Sequence, residues 1–192
     1  SRGGLVVRLE EGFKRNIHDI TNTPFRTKFE EDLPKYRGNL GIGVISDYED
    51  QPLLIGSRHG RYAIVTVGRV DNLSALAEFC LSRNSTHFSE LKGNEYNQTE
   101  VVANLICEEN DFVAGIENVY DKVKGSCTLM ILTPDAPALR ATAQLLDALD
   151  EKEVKTGLII NQQSTGSAIN PDEIKEAQDE GIKIRYRDSN SE

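Results

Sequence analysis

GIGVISDYEDQPLLIGSRHGRYAIVTVGRVDN, running from Gly41 to Asn72, decides how this chain reads. Ile42–Ile45 and Tyr62–Val67 are apolar runs of strand length, and a third, Leu53–Ile55, lies between them in a polar, Pro-containing connection. Apolar runs this short, bounded by Gly, Pro and Asp, predict strands. The block ends on Val67-Gly68-Arg69, where a glycine after a strand can turn its backbone N–H outward.

Outward from this block, Leu5–Leu9 predicts a buried strand after the flexible Arg2-Gly3-Gly4. Phe13 to Pro34 reads as polar and irregular, with turn residues at Thr21-Asn22-Thr23-Pro24 and a short charged helix around Thr27–Asp32. Leu73, Leu76, Ala77, Cys80 and Leu81 have helical spacing, with Asp71 or Asn72 as the cap. After a polar loop over Arg83–Asn97, two more helices are expected. One is Thr99–Glu108, with Val102, Leu105 and Ile106 on one face, and the other is Phe112–Val123, which Gly125 stops. SCTLMIL, Ser126–Leu132, is a continuous apolar run, the pattern of a fully buried strand.

The texture then changes. Leu139, Leu145, Leu146 and Leu149 outline an amphipathic helix to about Asp150, and Gly157–Ile160 a buried strand followed by the polar loop Asn161–Asn170. Pro171, Asp172 and Glu173 suit a helix start and Gly181 its end, before a last strand at Ile182–Tyr186. Strand and helix alternating at these lengths predict βαβ units with parallel pairing. Two domains are expected, 1–133 and 134–192, and the fold class is α/β or α+β. The tail Arg187–Glu192 is too polar to order itself.

Composition narrows the function. With 192 residues, 38% hydrophobic and 28% charged, the chain has the balance of a soluble globular protein. Its net charge of −9 argues against nucleic acid or an anionic membrane as partner. No apolar run reaches membrane-spanning length, and no signal-peptide pattern is visible. A start at Ser1-Arg2-Gly3-Gly4 without Met reads as a trimmed fragment. Cys80, Cys107 and Cys127 lack CxxC spacing and read as free thiols of a reducing cytoplasm. His18, His59 and His87 are scattered and read as surface or turn residues; no metal or cofactor is expected. The GxxxxGK[ST], GxSxG and HExxH patterns are absent.

Arg2-Gly3-Gly4, Gly38–Asn72, Asn97-Gln98-Thr99-Glu100-Val101-Val102-Ala103 and Gly125–Thr133, taken together, resemble the class II glutamine amidotransferase domain, in particular that of the amidophosphoribosyltransferases. The resemblance covers about 1–133. It implies an Ntn-hydrolase fold, an αββα sandwich of two antiparallel sheets between helices, here incomplete, and a place in cytoplasmic purine nucleotide synthesis. It also implies glutamine as the small-molecule ligand; a homo-oligomer is left open.

The resemblance locates the family's chemistry and shows it altered. The family nucleophile is an N-terminal Cys whose own α-amino group is the base, a thiol able to form a thioester with the glutamine carboxamide. No such Cys is present; Ser1 joins a hydroxyl to an amine, but it abuts a block that lies after the family's first strand. The Arg that clamps the substrate carboxylate falls on Ser46, and the His before it on Val44. The Asn-Gly pair of the oxyanion hole falls on Val67-Gly68, leaving Gly68 as the residual donor. Losing one such donor costs about 3 kcal/mol of transition-state stabilisation. The Asp that binds the substrate amine falls on Gln98, which accepts a hydrogen bond without offering charge. These departures predict a degenerate domain, a pseudoenzyme.

Arg58, Arg61 and Arg69 are alternative carboxylate clamps or, as the blander reading, solvated strand-end charges. PDAPALRATAQLLDAL, TGLIINQ and INPDEIKEAQDEGIKI, within 127–186, are similar to deviant Walker partition-type ATPases. In that family an Asn at the place of Asn161 helps hold adenine, but the phosphate loop has no counterpart here. A generic βαβ segment with Asn161 in a turn is the other reading. Three functions are therefore carried: the degenerate amidotransferase domain, a non-catalytic binding or regulatory module, and a nucleotide-binding α/β protein.

Overall fold

The computed structural model describes residues 1–38, 40–83, 87–91 and 93–133, together with the backbone of 158–160 and 184–186. The chain divides into two units, Ser1–Pro134 and Asp135–Glu192. In the first, β1 (Arg2–Leu9), β2 (Gly12–Asp19) and β3 (Leu40–Ser46) form an antiparallel sheet in the order β2-β1-β3. A second antiparallel sheet has the order β4-β5-β6, from Leu53–Ser57, Gly60–Val70 and Gly125–Leu132. Between them in sequence come α1 (Phe25–Phe29), a 3₁₀ turn at Leu33–Lys35, and α2 (Leu73–Arg83), α3 (Gln98–Glu108) and α4 (Phe112–Lys122). The class is thus α+β, with two small antiparallel sheets.

Side-chain alternation in β5 builds the layers. Ala63 and Val65 meet Val6 and Ile42 of the first sheet and Leu132 of β6, with Phe13, Leu40 and Val44 at the edge of this core. Tyr62 and Thr66 point the other way, onto α3, where they touch Cys107 and Thr99. Successive strand residues face opposite sides, so a strand covered on both faces is apolar throughout. Tyr62 to Val65 accordingly form an unbroken buried run.

Helix α3 is the other centre of the unit. Val101, Val102, Leu105 and Ile106 are fully buried. Burial of each such side chain contributes about 2 kcal/mol. Gly115 of α4 lies against the Ile106 carbonyl so closely that any Cβ would collide, which sets how near the two helices approach. Asn97 caps α3 by accepting from the Glu100 N–H at 3.1 Å, and Asp111 caps α4 by accepting from Ala114 at 2.9 Å. At α2 the carbonyl of Asn72 takes the first helical bond, from Leu76. The Asn72 side chain instead ties down the end of α4, donating to the Lys122 carbonyl and accepting from Lys124.

Two expectations need correction. Gly12–Asp19 is a strand, not irregular chain. It is an edge strand, half-buried, so it tolerates Lys14, Arg15 and Asn16 and their polarity masks the pattern. His18 on it is no loose surface residue: its ring packs on Phe29 and meets Asp32 at 2.7 Å, holding that carboxyl below its usual range, with Asn16 assisting. Ser126–Leu132 is a strand but not fully buried; as an edge strand it leaves Ser126, Thr128 and Met130 exposed.

In the second unit β7 (Leu158–Ile160) and β8 (Ile184–Tyr186) pair in parallel, Leu158 opposite Ile184, as the βαβ reading expects. The helices expected around 139–149 and 171–181, Asn161 and the tail lie outside the described residues. Among the described residues no helix is long and apolar enough to cross a membrane.

Candidate functional site

Val44 and Ser46 lie towards the end of β3, and Val67 and Gly68 towards the end of β5. Ile42 and Val44 of β3 face the second sheet, and by strand alternation Ser46 shares their side. Ala63 and Val65 of β5 face the first sheet, and Val67 continues that row, 57% exposed. Val44, Ser46 and Val67 therefore point into the space between the sheets. Arg2, opposite Ser46 in the register, reaches Asp50 at 3.4 Å.

Gly68 follows with φ of +123°, a left-handed backbone that favours glycine, and any Cβ there would strike the Ser126 carbonyl. Its own carbonyl accepts from Gln98 Nε2 at 3.4 Å. Gln98, 9% exposed, spends the rest of its carboxamide on the same strand: Oε1 accepts from the Val70 N–H at 2.8 Å, and Nε2 also donates to Thr66 Oγ1 at 3.4 Å. Gln98 thus serves as a clamp between α3 and β5.

Glu49, which the sequence reading missed, joins Ser46 to Gln98. Its N–H donates to Ser46 Oγ at 3.0 Å. Its carboxylate accepts from the Gln98 N–H, from Thr99 Oγ1 at 3.1 Å and N–H at 3.4 Å, and from Gln51 Nε2 at 3.3 Å. Gln51 Oε1 then accepts from the Thr66 N–H at 2.9 Å, and Thr66 and Thr99 share a 2.6 Å hydroxyl contact. Free N–H groups at a helix start and its positive end favour an anion, and this one is supplied by the chain itself. Gly4 leaves room for the loop, since a Cβ there would overlap the Gln51 carbonyl. Glu100 does the same for the neighbouring loop, accepting from Ser89 N–H and Oγ at 2.9 Å and from Glu90 N–H at 3.0 Å. The acidic run Asp47-Tyr48-Glu49-Asp50 was the available signal, but it gives no hint of which carboxylate turns inward.

Among the described residues no activated nucleophile accompanies these groups. Cys127 lies opposite Gly68 in the β5–β6 register, but burial, reinforced by the Glu49 charge, pushes its thiol up to about 11. At neutral pH it is a thiol, not a thiolate. Ser1 Oγ donates to Asp47 Oδ1 at 2.6 Å, and its amine to Thr21 Oγ1 at 3.1 Å. The three alternative arginine clamps part ways. Arg58 caps the end of α3, donating to the carbonyls of Cys107 and Glu108; Arg69 pairs with Asp71 at 3.4 Å; Arg61 is exposed at the start of β5. Among the described residues no group of three His, Cys, Asp or Glu side chains could hold a metal ion.

No family model matches the sequence, and no curated protein matches it. Solved structures do match the fold. The glutamine phosphoribosylpyrophosphate amidotransferase from B. subtilis, solved with ADP and GMP, is similar with a TM-score of 0.54 and 23% identity. The match covers 69% of this chain and 29% of that one. A structure described as the allosteric regulatory enzyme of purine biosynthesis is similar with a TM-score of 0.56 and 22% identity, covering 68% of this chain and 29% of that one. This chain therefore spans less than a third of the length of either, and at such identity the likeness is one of fold.

Proposed function

We propose that residues 1–133 are an Ntn-hydrolase-type glutaminase domain, related to that of the amidophosphoribosyltransferases of purine synthesis, which no longer hydrolyses glutamine. The observation that carries this reading is the internal saturation of the polar groups around Gln98. In a working site an acid or amide must be left for the substrate amine. Here Gln98 is spent on β5 and Glu49 on the start of α3. The positions equivalent to the clamp and the oxyanion donor carry Ser46 and Val67, and Cys127 is held as a thiol. What remains is Gly68, one donor of two.

The test is ammonia release from glutamine by the purified chain, with a glutamine-mimicking affinity label as a second readout. Neither turnover nor covalent capture within 1–133 is expected. Release of ammonia above the level of a Gly68→Ala variant would overturn the inert half of the proposal.

A non-catalytic binding module is the reading to set beside it, favoured by the same saturation, because a site with no free acid or base can still hold a ligand. Calorimetric titration with glutamine, glutamate and purine nucleotides separates the two: heat from any of these without turnover favours the module. A nucleotide role for the second unit rests on Asn161, outside the described residues, and ATP-dependent thermal stabilisation is its test.

A further inference from the structure

Glu108 closes α3 where α2, α3 and α4 meet. Its side chain is only 6% exposed, and apart from the weakly donating Cys80 thiol neither carboxyl oxygen has a hydrogen-bond partner. From α2 it is faced by the Cys80 thiol and by Arg83, whose Nη1 stands 3.9 Å from Oε2. From α4 it is faced by Lys122, whose ammonium is committed to Asn118 Oδ1 at 2.6 Å. Glu109 adds a like charge, and Arg58 is spent on the main-chain carbonyls of Cys107 and Glu108. The helix end contributes a further partial negative charge. A buried carboxylate wants several donors, and this one has a distant guanidinium and a weakly donating thiol.

We propose that Glu108 is a proton-operated latch on the seam between α2 and α3. With the carboxyl neutral, α2 stays packed on α3; when the proton leaves to solvent, the poorly partnered carboxylate draws water in, loosens α2 and exposes Cys80. Burial, opposed by Arg83 and Lys122, raises the Glu108 pKa above the usual carboxylate range. The sign follows. An unfolded glutamate titrates near about 4.3, so the closed seam has its full stability below that pH and loses it as pH rises through the higher folded value. Nothing in the latch depends on the amidotransferase reading.

The experiment follows labelling of Cys80 by a neutral thiol reagent, mapped by mass spectrometry, from about pH 5 to about pH 8. Rates are divided by those of the same chain unfolded in denaturant, which removes the thiol's own ionisation. In the wild-type chain the normalised Cys80 rate rises by about tenfold over this range. In Glu108→Gln it stays low, and the thermal midpoint at neutral pH rises by about 4 °C. Arg83→Gln provides the second arm and keeps the carboxyl itself: without the guanidinium the proton is held longer, so the onset moves to higher pH. A rise shared equally by Glu108→Gln would trace to general repulsion in a chain of charge −9 and would overturn the latch. So would an Arg83→Gln onset at the wild-type pH.

Discussion

At its N-terminus α3 receives a carboxylate from Glu49 across 49 residues of sequence, and four donors converge on it. At its C-terminus the same helix carries Glu108, buried with only the Cys80 thiol and a distant guanidinium beside it. The same functional group stabilises one end and strains the other. Two causes separate them. The helix dipole favours an anion at the first end and disfavours one at the second, and only the first end offers free N–H groups. The last carbonyls of the helix are met instead by Arg58.

Changes at the two ends test this contrast. The largest effect is expected from Glu49→Ala, which strands the Gln98 and Thr99 N–H groups and the Gln51 amide, a loss of about 3 kcal/mol in urea unfolding. A loss below about 1 kcal/mol would mean that water replaces the carboxylate and the loop is not anchored by it. Gln98→Ala comes next, at about 2 kcal/mol, because the buried Val70 N–H loses its acceptor. Its hydrogen-exchange signature should localise to Val70, and protection unchanged there would contradict the clamp. Asn97→Ala removes the cap and costs about 1 kcal/mol, with fraying confined to the first turn of α3. The smallest effect belongs to Arg58→Ala at the other end, about 0.5 kcal/mol, since its exposed guanidinium competes with water for the carbonyls it caps. An Arg58→Ala loss larger than that of Glu49→Ala would reverse the proposed order of the two ends.

Under the function proposed above, the same contrast accounts for a shape kept without its chemistry. A carboxylate at the start of α3 is worth keeping for stability alone, and Gln98 suits a clamp because its amide both donates and accepts. Val67 is 57% exposed near the end of β5 and takes no part in the buried core.

Much of this was legible in the residues. The apolar run from Tyr62 to Val67 announced a strand, and the spacing of Val102, Leu105 and Ile106 announced α3. The positions 44, 46, 67, 68 and 98 were singled out by their place in a familiar order of motifs, and contacts of Glu49 and Gln98 link three of them, Ser46, Gly68 and Gln98. Periodicity carries such information because burial on one face repeats along a strand or helix at a fixed step. It failed at Gly12–Asp19, where an edge strand tolerates polar side chains, and at Ser126–Leu132, where an apolar run is left half-exposed at an edge. The sequence alone therefore determined most of the elements of the first unit. Only the tertiary structure decided that Glu49 turns inward and Glu108 is left poorly partnered, because those outcomes depend on the path of loops that bring distant residues within hydrogen-bond range, and no local pattern encodes that path.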